Sequence, residues 1–255
     1  MKTTAIILAR TNSTRLPNKV RIKIGGKTII EHIVNRLNSI NIFDDIILAT
    51  TRRREDIHLV NLVNDLNIKV FRGSEENVLK RFYDAAKCVD AKVIARINGD
   101  CPFFSRKGLI KNIKTHKTNN YDYTYNKSIT GIVGGYPLGT GTEVISIETL
   151  EKLEKTVKDT KMREHITLYI LLNKTYFKIA KVTAPENLQD NKLKLTLDTK
   201  EDLILIKKIF DKLYSKDSII TLEKIFELFK KEPDLRKINS IKDEKFLSFF
   251  KKTNF

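Results

Sequence analysis

Strand-like and helix-like segments alternate through residues 1–120, and no other feature of the sequence restricts the fold as tightly. Ala5-Ile6-Ile7-Leu8-Ala9, Ile46-Ile47-Leu48-Ala49-Thr50, Lys69-Val70-Phe71 and Lys92-Val93-Ile94-Ala95-Arg96-Ile97 are the strand-like runs. The first is Ile-rich and has no polar position at period two, the pattern of a strand covered on both faces. Between these runs the period changes to that of a helix. Thr28 and Glu31 form a capping box ahead of Ile29, Ile33, Leu37 and Ile40. A second helix carries Ile57, Val60, Val63 and Leu66, and a third spans Glu75–Val89 with Val78, Leu79, Phe82, Ala85 and Ala86 turned inward. This order predicts an α/β fold around a doubly wound, mostly parallel, Rossmann-like sheet. Ligands of such sheets sit beyond the carboxyl ends of the strands, so the turns after the first and fourth strands face one crevice.

Past residue 119 the pattern is less regular. Tyr121–Tyr125, Thr142–Ile147, Phe177–Val182 and Leu193–Leu197 read as strands, and Met162–Leu172 as a helix. Gly131, Gly134, Gly135, Gly139 and Gly141 mark a loop that is either an ordinary hairpin or a segment passing close to a ligand or partner. Asp198-Thr199-Lys200-Glu201-Asp202 caps a helix with the stripe Leu203, Ile206, Phe210 and Leu213, and a last helix runs Leu222–Phe229 before Pro233. With no repeat and no linker, residues 1–255 are expected to form a single domain, with 119–185 as a smaller inserted β arm.

The 255 residues allow a sizeable core. No apolar run reaches the ~18 residues of a membrane span. No secretory leader pattern opens the chain, so a cytoplasmic protein without membrane association is expected. Cys88 and Cys101 are expected to be reduced thiols. The net charge of +17 raises nucleic-acid binding, but the lysines are spread over every helix rather than gathered among aromatics, and nucleic acid is not the expected partner.

The turn after the first strand, Ala9-Arg10-Thr11-Asn12-Ser13-Thr14-Arg15-Leu16-Pro17-Asn18-Lys19, concentrates the chemistry. Arg10, Arg15 and Lys19 supply cations, while Thr11, Ser13 and Thr14 supply hydroxyls. Pro17 stiffens the loop, and Asn12 and Asn18 suit positive φ. Such a loop can cradle a polyphosphate, although the glycine pattern of a Walker A loop is absent. Two acidic positions also stand out. Asp100 ends a strand within Asn98-Gly99-Asp100-Cys101-Pro102, where a turn-forming role is the alternative. Asp198 stands before a helix, where an N-cap is the alternative. Together they could give one carboxylate each to a Mg²⁺ that shares phosphate oxygens.

These segments resemble the cytidylyltransferases, which include the CMP-Kdo and CMP-sialic-acid synthetases and the spore-coat polysaccharide (SpsF-type) proteins. Residues 9–19 are similar to the signature A-R-x-x-S-x-R-L-P-x-K, with Asn12 and Asn18 where the family usually has Gly. Arg96–Pro102 resembles R-x-x-G-D-x-P, and Leu197–Leu203 resembles the D-T-x-E-D-L segment. Phe71–Arg81 resembles F-R-G-S-x-x-x-V-L-x-R. Tyr136-Pro137-Leu138-Gly139, Glu143-Val144, Arg163-Glu164-His165-Ile166-Thr167 and Glu232-Pro233-Asp234-Leu235 resemble the spore-coat subgroup, while Ser105-Arg106 departs from the usual segment after Pro102.

The resemblance implies the nucleotide-diphospho-sugar transferase type of fold and metal ligation by Asp100 and Asp198. It also implies a Mg²⁺-dependent transfer of CMP from CTP to an acidic sugar or phosphorylated acceptor, with pyrophosphate leaving. Arg10, Arg15, Lys19 and Asp100 would be catalytic. Leu8, Ala9, Ser13, Thr14, Ala49, Thr50, Gly73, Ser74, Arg81, Asn98 and Gly99 would complete the nucleotide site. Arg72, Arg96, Glu143, Arg163 and His165 are the acceptor candidates, although a His beside Glu on a helix is also an ordinary surface pattern. A homodimer formed through the 119–185 arm is expected. The alternatives are a glycosyltransferase of the same general fold, a guanylyl- or uridylyltransferase, and a basic nucleic-acid-binding protein.

Overall fold

The computed structural model describes residues 1–127, 135–216 and 218–239. Its elements are, in chain order, β1 (Thr3–Leu8), β2 (Lys23–Ile24), β3 (Lys27–Thr28), α1 (Ile29–Asn38), β4 (Asp45–Thr51), α2 (Ile57–Asn64), β5 (Lys69–Gly73), α3 (Val78–Lys87), β6 (Val93–Asn98) and α4 (Arg106–Asn119). There follow β7 (Tyr123–Tyr125), β8 (Glu143–Ser146), α5 (Ile147–Thr156), α6 (Thr160–Glu164), α7 (Leu168–Leu172), β9 (Ile179–Lys181), α8 (Lys200–Leu213) and α9 (Leu222–Lys231).

Seven strands form one sheet in the order β5-β4-β1-β6-β8-β7-β9, and β2 and β3 make a separate hairpin. β1 pairs in parallel with β4 on one side and β6 on the other. β8 runs antiparallel to both β6 and β7, and β9 is parallel to β7. The chain therefore builds outward from β1 to β5, then crosses back to lay β6 on the opposite side of β1. That reversal opens a crevice at the carboxyl ends of β1 and β6. The described part of 119–185 adds its three strands to the same sheet.

Alternate residues of the central strands divide between two cores. Ala5 and Ile7 pack with α1, α2, α4, α8 and α9, whereas Ile6 packs with α3, α5 and α7 on the other face. Both faces are thus covered, which is why these strands lack polar alternation. The Thr28–Glu31 capping box forms as the sequence predicts.

Several expectations are corrected. Asn18 is left-handed at φ 55°, but Asn12 is not among the positive-φ residues. In α2 the buried residues are Leu59 and Val63, while Ile57 is 37% exposed. A 3-10 turn over Arg54–Asp56 turns Asp56 inward just before α2 and sets that rotation. The third helix starts at Val78 rather than Glu75, because the Asn77 side chain caps it by accepting from the Lys80 N–H. Met162–Leu172 is two short helices, broken around His165-Ile166-Thr167, where Ile166 enters the core. Leu193–Leu197 is not a strand of the sheet. It pairs through a single bridge, Leu138 with Lys194. That bridge needs Gly139, whose φ is +87° and where a Cβ would meet the Thr196 Oγ1 at 2.5 Å. Of the glycine loop, Gly131 and Gly134 lie outside the described residues, as does the segment 240–255.

Candidate active site

The parallel register brings the ends of four strands to one edge. Leu8 pairs with Ala49 and with Asn98, and Thr51 pairs with Gly73. The expected nucleotide residues Leu8, Ala9, Ala49, Thr50, Gly73, Asn98 and Gly99 are therefore neighbours along the rim of the crevice. Gly99 permits the tightest approach: its N–H donates to the Leu8 carbonyl at 2.9 Å, and a Cβ there would lie 2.6 Å from that of Ala9.

The first turn folds around the Thr11 carbonyl, which accepts from the Ser13 and Asn18 N–H groups at 3.1 and 3.0 Å. Leu16 and Val20 are buried and anchor it, leaving Thr14 and Arg15 exposed and Arg10, Ser13 and Lys19 half-buried. Asn18 in the left-handed region then turns the chain so that Lys19 points into the crevice.

There the Lys19 ammonium meets both acidic candidates. Its Nζ donates to Asp100 Oδ2 at 2.6 Å and to Asp198 Oδ1 at 2.8 Å, and an Arg15 nitrogen lies 3.1 Å from the same Asp198 oxygen. The two carboxylates come from distant parts of the chain. Their approach is fixed by the Leu197 N–H, which donates to the Asp100 carbonyl at 2.9 Å. Burial pulls the Lys19 ammonium down, but the two carboxylates outweigh it and raise its pKa. Burial pushes the Asp198 carboxyl up, and Lys19, Lys194 and Arg15 together bring it below its ordinary value. Asp198 is thus held ready as an anion at neutral pH by cations that can be exchanged.

The alternative reading of Asp198 is resolved by its neighbour. Thr199 is the N-cap of α8, accepting from the Asp202 N–H in a capping box, so the Asp198 carboxylate is free of that duty. Asp202 places it: Asp202 Oδ2 accepts from the Asp198 and Thr199 N–H groups, each at 2.9 Å, and from Lys194 Nζ at 2.8 Å. The other oxygen, Oδ1, accepts from Asn239 Nδ2 at 2.9 Å. In the sequence Asp202 belongs to the capping run and Ile238-Asn239 to the segment that resembles the spore-coat subgroup, but neither pattern assigns them a role at the site, and Lys194 in an apolar run carries no distinctive signal. Cys101 is buried with its thiol raised well above the ordinary range by burial, and it donates to Asp100 Oδ1 at 3.4 Å. It packs and orients rather than serving as a nucleophile.

Asp56 is the other residue the sequence conceals. It is fully buried, and among the described residues no cation is bonded to it. Oδ1 accepts from the Thr11 N–H at 2.8 Å and the Thr11 hydroxyl at 2.6 Å. Oδ2 accepts from the Thr50 hydroxyl at 3.0 Å, the Thr51 N–H at 3.2 Å and the Thr51 hydroxyl. One carboxylate therefore ties the phosphate-type turn to the end of β4. Burial pushes its pKa up, but the threonine donors outweigh that and lower it. Ala49, Thr50 and Thr51 are fully buried in this arrangement.

The remaining candidates fall into separate groups. Arg81 is buried, with its pKa pressed down to about 10 by burial and then by Arg10, and it donates to the Ser74 and Glu75 carbonyls. Arg72 donates to the Thr51 and Arg53 carbonyls at 3.1 and 2.8 Å, fastening β5 to the turn after β4. Arg96 and Glu143 do come together, at 2.7 Å. Lys127 Nζ reaches the other Glu143 oxygen at 2.7 Å and the Thr167 hydroxyl at 3.4 Å, and the Tyr123 hydroxyl donates to Glu143 as well. Arg163 is not in this cluster. It holds the end of α5, through the Val157 carbonyl at 2.6 Å and the Glu154 carboxylate at 2.5 Å. His165 is exposed between α6 and α7.

A sheet that reverses at β1, a cationic turn at its carboxyl edge and two carboxylates gathered on one lysine define a nucleotidyltransferase-type crevice. The chain belongs to the cytidylyltransferase family, whose profile matches residues 4–245. It is 40% identical over 243 residues to an uncharacterised protein of Methanocaldococcus jannaschii, covering 94% of this chain and 95% of that one. It is 32% identical over 234 residues to the spore coat polysaccharide biosynthesis protein SpsF of Bacillus subtilis, covering 90% and 94%. A solved cytidylyltransferase structure from Leptospira borgpetersenii superposes with a TM-score of 0.85 at 29% identity, covering 94% of this chain and 99% of that one. The protein is an enzyme of this class, and its mostly parallel α/β fold is that of the family.

Proposed function

We propose that this cytidylyltransferase transfers CMP from CTP to an acidic sugar or phosphorylated acceptor for a surface polysaccharide or glycan, in the cytoplasm. The observation that carries the reading is the convergence of Asp100 and Asp198 on Lys19 of the first turn. Arg10, Arg15 and Lys19 bind the triphosphate, arginine in bidentate fashion and lysine as a point charge, and stabilise the charge that accumulates on the leaving pyrophosphate. An acceptor oxygen attacks the α-phosphorus, the new O–P bond forms, and the bond to the bridging oxygen of the β-phosphate breaks.

The donor set fits Mg²⁺. Asp100 and Asp198 are hard oxygen ligands within reach of one small cation, and this ion needs only one or two carboxylates when phosphates and waters complete its shell. Among the described residues no group of three or more His, Cys, Asp or Glu side chains could hold a metal, so the proposed pair would rely on phosphate and water oxygens to complete the shell. When bound there, the ion would neutralise charge on the α-phosphate. Asp202 keeps the Asp198 carboxylate aimed into the crevice, and Asp56 keeps the turn closed over the phosphates. The Arg96–Glu143–Lys127 group carries one excess positive charge, which suits an anionic acceptor. Arg72, Arg163 and His165 are retained as acceptor candidates, with Arg72 nearest the nucleotide rim.

The decisive experiment is pyrophosphate release with each ribonucleoside triphosphate against a panel of acidic sugars and sugar phosphates, with Asp100→Asn as control. Release with CTP and one acceptor, lost in the variant, supports the reading. Release with GTP or UTP corrects the base. Absence of any triphosphate binding removes the proposal. A homodimer through the 119–185 segment is part of the reading, and a monomeric mass by light scattering would remove that part.

A further inference from the structure

A second cavity, of about 290 Å³, lies outside the crevice, between α1, the end of α8 and the 218–220 segment. That is near the lower limit of ligand pockets. None of Arg10, Arg15, Lys19, Asp100 or Asp198 lines it. Its walls include the cations Lys27 and Arg36, the aromatic rings of His32, Phe210 and Tyr214, and Pro102.

Arg36 is the unusual member. It is 5% exposed, and its guanidinium donates only to main-chain carbonyls, those of Phe104 at 3.3 Å and Ile220 at 2.5 Å. Its Cζ lies 5.5 Å from the Phe104 ring centre. No carboxylate among the described residues pairs with it. A second guanidinium stands beside it instead. Arg106 donates to the Ser39 carbonyl at 2.8 Å, and its buried Nε has no hydrogen-bond partner. Burial, and then the Arg106 charge, press the Arg36 pKa down to about 9. Carbonyl oxygens satisfy donors but supply no full negative charge, and an uncompensated buried cation is strongly unfavourable. Among the described residues, therefore, neither Arg36, which lines the cavity, nor the neighbouring Arg106 is given a carboxylate.

The other walls define the rest of the occupant. The His32 ring packs 4.5 Å from Phe210 and 5.1 Å from Tyr214, centre to centre. Its Nε2 bonds the Ile24 carbonyl at 2.8 Å and must therefore be the donor, which leaves Nδ1 of the neutral ring as an acceptor. Burial lowers the His32 pKa, so the ring adds no charge near neutral pH, and its face together with Phe210, Tyr214 and Pro102 offers apolar contact. We propose that this cavity binds a small amphiphilic anion, its carboxylate or phosphate head against Arg36 and its apolar body against Phe210 and Tyr214.

The test uses the four histidines as reporters, of which only His32 lines the cavity. The full-length protein with isotope-labelled histidine is titrated with benzoate, phenyl phosphate and neutral benzyl alcohol at constant ionic strength, and the ring resonances are followed by NMR. Benzoate or phenyl phosphate is expected to shift His32 saturably, with a Kd of about 1 mM or tighter, and benzyl alcohol to bind at least ~10-fold more weakly. The better of the two anions names the head group.

Arg36→Met is expected to abolish the preference for an anion. Because that variant removes an interior contact, Asn35→Trp provides a second test from the cavity edge. It should abolish the His32 response while His58 and His165 keep their resonances. Lys19→Met, which alters the phosphate turn, should leave the His32 response intact, so this result does not depend on the nucleotidyltransferase reading. The proposal is overturned if neither anion gives a saturable shift, if benzyl alcohol binds equally well, or if a folded Asn35→Trp variant retains the wild-type Kd.

Discussion

Two carboxylate sites share the crevice, and they are stabilised in opposite ways. Asp100 and Asp198 are partly open to solvent, at 23% and 14% side-chain exposure, and are bridged by one lysine. Asp56 is 0% exposed and is held by neutral N–H and hydroxyl donors from Thr11, Thr50 and Thr51. A mobile cation can be replaced by another cation, so the first site is suited to exchange. A cage of backbone and hydroxyl donors has no such substitute, so the second is suited to holding two loops in place. A carboxylate's partners, more than its depth alone, distinguish a working acid from a structural one.

The largest expected effect separates the two sites by activity. Asp100→Asn or Asp198→Asn should lower kcat by about 10²–10³-fold in the pyrophosphate-release assay while leaving the denaturation midpoint nearly unchanged. Asp56→Ala should do the reverse in kind. It strands several interior donors and should lower stability by about 3 kcal/mol, read by urea unfolding. If Asp56→Ala proves as stable as wild type, the contrast between the sites is broken.

Acid titration sharpens the comparison further. The folded pKa of Asp56 lies below its unfolded value, so the carboxylate contributes stability that is complete above about pH 4 and is lost as the pH falls through the folded value. His116, buried against the Thr124 hydroxyl, has its pKa lowered to about 4 by burial. The unfolded chain therefore binds that proton first, and stability falls between about pH 6.5 and pH 4 by on the order of 3 kcal/mol. His116→Gln should reduce the slope of that upper window, to which the lowered pKa of His32 also contributes, in pH-dependent urea melts and leave the lower one, to which Asp56 contributes. The smallest effect is Thr51→Val, which removes one hydroxyl donor from Asp56 and should lower stability by about 1 kcal/mol, moving the acid loss of the Asp56 contribution to slightly higher pH and leaving the His116 window in place.

The sequence displays the sheet and its crevice because both are written locally. Ile-rich runs announce buried strands, and Thr28 with Glu31 announces a helix start. The first turn is legible because its cations cluster within one loop. Asp56 is not, because Arg52-Arg53-Arg54-Glu55-Asp56 has the appearance of a solvated charge run, and only the fold shows that its last member turns inward. Asp198 is ambiguous for a related reason: either it or Thr199 could cap α8, and the choice depends on Asp202, Lys194 and Asn239. Leu193–Leu197 has strand composition, but strands are made by partners, and its partner is the lone Leu138 bridge. The Arg36 cavity leaves no trace in the sequence, since its walls are contributed by segments that meet only in the folded chain.

The bond from Asn239 to Asp202 sets a clock on the enzyme. Translation proceeds from the N-terminus at roughly 5–20 residues per second, so the first turn leaves the ribosome well before Asp202. Asp202 acquires its last donor only when Asn239, 37 residues further along, has emerged. A nascent chain can therefore assemble β1, β4, β5 and β6 long before it can fix Asp198 opposite Asp100. The Asp198 carboxylate is therefore fixed by a segment made well after the sheet that frames it.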